Sequence, residues 1–139
     1  METMTQFSSL REKIAYESQQ RHERNAGFAA LVSVAHSKGM QAGRECKPIP
    51  MVVCSSTGKP LEQLDDGACG FAWVAFPGNT AFGRWAKKQG IARPHYPSGL
   101  CVWVREFGQS VDRKAAYAGA YAQTLRNAGI DCYAGDRLD

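Results

Sequence analysis

The chain lacks any apolar run long enough to cross a bilayer. Met1 to Gln20 also lacks the apolar stretch of a secretory leader, so a cytoplasmic protein with no membrane partner is expected. Five cysteines (Cys46, Cys54, Cys69, Cys101 and Cys132) are an odd number, and no CxxC pair occurs among them. This pattern argues against a disulfide framework and implies reduced, mostly buried thiols. His36, Cys46 and Cys54 lie too far apart to supply a short-spaced ligand pair, so no metal is expected. The sequence has no glycine-rich phosphate loop, no internal repeat and no low-complexity tract. No catalytic constellation stands out either. Cys69 or Cys101 with His95 would make a nucleophilic pair, but both thiols fall in predicted strands, away from a helix N-terminus that would activate them. Asp65 and Asp66 read as turn formers before Gly67. We therefore expect no enzyme and no cofactor.

What is present is ordinary in bulk and informative in detail. At 139 residues and 44% apolar content, the chain is expected to form one domain with a real core. A surplus of 17 Lys+Arg over 13 Asp+Glu permits an anionic partner without requiring one. The most telling stretch is Cys69-Gly70-Phe71-Ala72-Trp73-Val74-Ala75-Phe76. As a strand it places Phe71, Trp73 and Ala75 on one face and Ala72, Val74 and Phe76 on the other. Neither face is polar, so either both are buried or one keeps its rings for a partner.

Around this strand the pattern predicts helix, strand, strand, helix, strand, helix, strand. Ser9 and Glu12 form a capping box before the stripe Phe7, Leu10 and Ile14. Gly27 is a candidate break in this N-terminal helical segment (1–40), and Gly39 a candidate stop. The α+β core (48–139) begins after a connector over 41–50, with Met51–Cys54 as a strand that could pair with the aromatic one across a polar loop (55–67). Thr80 or Asn79 caps a short helix closed by Gly90, and residues 91–99 form a loop. A strand over 100–107 places Cys101, Trp103, Arg105 and Phe107 on one face. Ser110 caps an Ala-rich helix to about Ala128, followed by a short strand over 130–134 and a polar tail. The fold class expected is α+β: a single three- to four-stranded sheet with helices mainly on one face. Parallel and split βαβ arrangements both remain open.

Three groups of residues point towards nucleic acid. Gly70 to Phe76 is similar to the RNP1 signature of RNA-recognition domains, with Trp73 where Phe is usual and Cys69 in place of the opening basic residue. That similarity implies that Phe71 and Trp73 stack on bases. Trp103 beside Arg105 would hold a base and its phosphate; the plainer reading puts Trp103 under the N-terminal helix. Arg84, Lys87, Lys88 and Arg93 form a basic set near the second helix, either a phosphate contact or a solvated face. Arg113 and Lys114 oppose the dipole of the helix they begin, which hints at a use elsewhere.

A longer pattern spans most of the chain after Gly27. It comprises Lys47-Pro48-Ile49-Pro50-Met51-Val52-Val53, Gly67 to Val74, and Pro77-Gly78-Asn79 with Phe82 and Trp85. It continues through Gln109-Ser110, Arg113 to Ala118, Ala128-Gly129-Ile130 and Ala134 to Asp139. Together these segments resemble a family of small proteins of unassigned function in tailed phages and prophages. The resemblance implies expression in the cytoplasm of an infected bacterium and an accessory role, including interference with host defence. Expected partners are nucleic acid or a host protein complex that handles it; the alternatives are a protein–protein inhibitor of a host factor, or a binder that sequesters a small signalling nucleotide with the same rings and cations. The polar stretch from Glu17 to Asn25 suggests a homodimer through the N-terminal helix.

Overall fold

The computed structural model describes residues 8–139; Phe7 lies outside them. The first helix, α1 (Leu10–Glu45), is one unbroken rod of 36 residues. The Ser9 hydroxyl caps it by accepting the Glu12 amide at 3.2 Å. The Glu12 carboxylate turns to the hydroxyl and amide of Ser8 rather than to Ser9, and these hydrogen bonds hold its pKa below the usual value.

Neither expected glycine signal acts on α1. Gly27 sits in open space within the helix, and the rod runs on past Gly39. Gly39 and Gly43 serve packing instead. A Cβ on Gly39 would lie 2.7 Å from the Tyr117 ring, and one on Gly43 would collide with Phe107. Their bare backbone lets α1 lie close against α3 (Val111–Asn127), its main neighbour.

The main sheet is antiparallel throughout, in the order β4 (Arg93–Pro94), β5 (Leu100–Trp103), β3 (Gly70–Phe76), β6 (Tyr133–Leu138). β3 is central: Trp73 faces Trp103 on β5 and Gly135 on β6. The expected single sheet is corrected to two. β1 (Met51–Cys54) pairs with β2 (Pro60–Leu64), not with β3, and forms a hairpin of its own. β2 lies in the stretch expected to be loop, because its strand pairing is local and its side chains are mostly exposed. Three further boundaries differ. The short β4 lies in the expected 91–99 loop, and β6 runs through the expected polar tail. β5 stops at Trp103 rather than Phe107; Phe107 takes φ 68°, and its ring packs on Gly43 and Tyr117.

The core lies on one side of the sheet. Ala72, Val74 and Phe76 pack beneath Ala118, Tyr121, Ala122 and Leu125 of α3 and Phe82 and Ala86 of α2 (Ala81–Lys88). The alanines shorten the distance between helix and sheet, and Thr80 and Ser110 cap the two helices. The use that Arg113 and Lys114 hinted at is internal. Arg113 donates to the Gly43 carbonyl at 2.8 Å and pairs with Asp66 at 3.3 Å, tying the end of α1 to the turn before β3. Among the described residues no helix is long and apolar enough to cross a membrane.

The two glycine environments predict opposite outcomes. Gly39→Val should cost about 1–3 kcal/mol in urea denaturation, since the buried Tyr117 ring must move. Gly27→Ala should stabilise by about 0.4–1 kcal/mol.

Candidate nucleic-acid interface

Because side chains alternate along β3, burying Ala72, Val74 and Phe76 turns Phe71 and Trp73 to the opposite face. Cross-strand pairing brings Trp103 to that same face. The two indoles lie 5.4 Å apart between ring centroids, and Phe71 meets Trp103 edge-on at 6.4 Å. His95, on the loop after β4, stands 5.9 Å from Trp73. None of these rings belongs to the core cluster, and Phe71 and Trp73 are half-buried. Trp103 is 37% exposed, so it does not lie under α1.

Trp73 is held by what faces it. Its indole lies on Gly135, where a Cβ would come within 2.6 Å of the ring. A ring filling the gap over a glycine on the neighbouring strand pins the pairing of β3 with β6. The indole Nε1–H is shielded from solvent and has no acceptor among the described residues.

Two cations lie here, Arg137, which the sequence reading passed over, and Lys114, which it singled out only for opposing its helix dipole. Arg137 on β6 sits directly opposite Phe71, its guanidinium 5.3 Å from the ring centroid. Lys114, buried at the start of α3, lies 5.6 Å from the same ring and donates to the Gly70 carbonyl at 3.2 Å. Only the antiparallel register of a strand in the apparent tail could have identified Arg137.

Phe71, Trp73 and Trp103 are thus brought together, whereas the expected basic set is not. Arg84 is on α2, on the covered side of the sheet, and donates to the Asn79 carbonyl at 2.8 Å. Lys88 is exposed on the same helix. Lys87 lines an open cleft of about 710 Å³ at the end of the sheet, with Asn79, Ser98 and Asp131. Arg105 lies beyond the end of β5, so it does not share a strand with Trp103. Arg93 and Arg105 instead border a second cavity at the outer edge of β5.

That cavity is lined by Tyr117 and Tyr121, whose ionisation is strongly shifted. His36 Nδ1 and the Tyr117 hydroxyl are 2.6 Å apart. Burial, reinforced by the Glu106 carboxylate, pushes the Tyr117 phenol well above its ordinary value and that of Tyr121 up to about 12. Burial also raises the Cys101 and Cys132 thiols, which makes both poor nucleophiles at neutral pH. Among the described residues no group of three or more His, Cys, Asp or Glu is placed to hold a metal ion. Comparison with protein-family models, with curated proteins and with solved structures finds no match for this chain.

Tyrosines that resist ionisation when folded destabilise the fold at high pH. The unfolded phenol loses its proton near ~10, while that of Tyr121 in the fold keeps it to about 12, so stability should fall as pH rises across this window. Denaturant midpoints measured through the window should fall less steeply for Tyr121→Phe.

Proposed function

We propose that this chain is a non-enzymatic protein that binds single-stranded nucleic acid on the ring-bearing face of its main sheet. The observation that carries this reading is the ring group itself. Phe71, Trp73 and Trp103 share the face of the sheet turned away from the core, with the Arg137 guanidinium beside them. Flat rings accept any base by stacking, and a nearby guanidinium supplies the charge that a phosphate backbone needs. The reading also draws on the likeness of Gly70 to Phe76 to the base-stacking RNP1 strand. From the phage resemblance it takes a cellular setting. The protein would act as a phage accessory factor in the host cytoplasm, on nucleic acid or on a host complex that handles it, with interference in defence as one result.

A second reading, a protein partner or a second copy held through α1, has its own observation. Leu10 and Ile14 are exposed, yet each lies five turns before a core-facing residue, Phe28 and Val32, at ~3.6 residues per turn. The stripe that packs on the body therefore continues along the free arm. If the arm pairs with a second copy, sedimentation should give a dimer for the wild type and a monomer for Ile14→Glu.

For the leading reading, fluorescence anisotropy with a labelled single-stranded oligonucleotide is the direct test. Phe71→Ala and Trp103→Ala should each weaken binding by about 1–3 kcal/mol, roughly 5- to 150-fold. With Arg137 as the exposed cation beside the rings, log K should fall with log salt at a slope of about −0.7. Wild-type protein that ignores every single-stranded sequence at low salt would remove this function.

A further inference from the structure

The cavity at the outer edge of β5 has a polarity that the ring-bearing sheet face does not share. β4 pairs only with Leu100 and Cys101, so the edge beside Val102 and Trp103 is open, and a cavity of about 290 Å³ lies against it. This is the small end of the range for ligand sites. Its outer wall is cationic. Arg93 and Arg105 line it, and neither guanidinium makes a hydrogen bond or ion pair with any described residue. The rest of its polar lining is hydrogen-bonding: buried Tyr117 and Tyr121, half-buried Glu106 and exposed His36, with the Glu106 carboxylate accepting the Arg105 amide at 3.0 Å. Tyr121 is 3% exposed, and no described residue engages its hydroxyl. The hydroxyl itself is not sealed off, since Trp73 Nε1 is the buried side-chain polar atom without a partner among the described residues; the hydroxyl opens onto the cavity, where a ligand can bond it. Trp103 belongs both to this cavity and to the ring cluster, so the two sites are contiguous.

We propose that this cavity takes one nucleotide, with its phosphate between Arg93 and Arg105 and its base turned inward to Glu106 and Tyr121. The inference rests on the nucleic-acid reading above and names the unit that would enter beside the stacking face. Two planar guanidiniums suit a phosphate dianion. A carboxylate accepts hydrogen bonds only, so it selects a base edge with adjacent N–H donors. Guanine offers its ring N–H and amino group side by side. Uracil flanks its one N–H with two carbonyl oxygens, which the Glu106 carboxylate repels. The half-buried Glu106 carboxylate also orients the ligand, because it repels the phosphate towards the two arginines. The nucleotide comes either from solution or from the end of a nucleic-acid strand.

Calorimetric titration with guanosine monophosphate, uridine monophosphate and inorganic phosphate tests this directly. Guanosine monophosphate should bind at least tenfold more tightly than either of the others. Arg93→Ala combined with Arg105→Ala should lose binding at least tenfold, and an unchanged melting temperature would show that it folds, since both side chains are exposed. Glu106→Gln should erase the preference for guanine while phosphate binding persists. Oligonucleotides ending in 5′-phosphoguanosine or 5′-phosphouridine distinguish the two sources. Discrimination between these ends assigns the site to strand ends, and preference confined to the mononucleotides assigns it to free nucleotide. Phe71 does not line the cavity, so Phe71→Ala separates the two proposals. If this variant loses oligonucleotide affinity but keeps guanosine monophosphate, the cavity is an independent site. Oligonucleotide binding by the wild type with no response to millimolar guanosine monophosphate overturns the cavity proposal and leaves the sheet-face reading standing. Equal binding of the two mononucleotides overturns it as well.

Discussion

The burial of Ala72, Val74 and Phe76 beneath α3 is the contact on which the rest of the molecule depends. A strand has two faces and a period of two, so committing one set of side chains to the core commits the other set outward. β3 is bonded on both edges, to β5 and β6, and a one-residue slip would bury Phe71 and Trp73 and expose Val74. The aromatic face is therefore a consequence of where the core lies. The alanines of α3 reinforce this choice, since a close helix leaves no depth for an indole beneath it.

The helical side shows the same economy of space at a second level. Gly39 and Gly43 admit the rings of Tyr117 and Phe107 between α1 and α3. Arg113 then ties the end of α1 to the turn that launches β3. The outer helix, the central helix and the start of the ring-bearing strand thus form one connected unit. The arm formed by the first half of α1 and the β1–β2 hairpin contribute little to this unit. Both present exposed apolar side chains, among them Leu10 and Ile14 on the arm and Val52 and Leu61 on the hairpin.

Charge is distributed less simply than the sequence suggests. The run from Arg84 to Arg93 looks like a single basic set because the residues are close in the chain. In space the set divides among the covered side of the sheet, the cleft at its end and the edge of β5. The cations nearest the rings are Arg137 and Lys114, which local patterns assign to a tail and to a helix start. Proximity along a chain predicts proximity in space within one element, and fails once a turn intervenes.

Sequence alone determined the features that short-range physics governs. The caps at Ser9, Thr80 and Ser110, the aromatic strand with its two-sided alternation, the α+β class and the helices on one side all follow from local propensity and period. It could not determine which side of β3 is covered, because both sides are apolar and only the placement of α3 distinguishes them. Nor could it give the separate hairpin, the role of Gly39 and Gly43 as packing surfaces, or the strand carrying Arg137 across from Phe71. Those are set by pairings between residues distant in the chain, and the energy that selects them exists only once the partners meet.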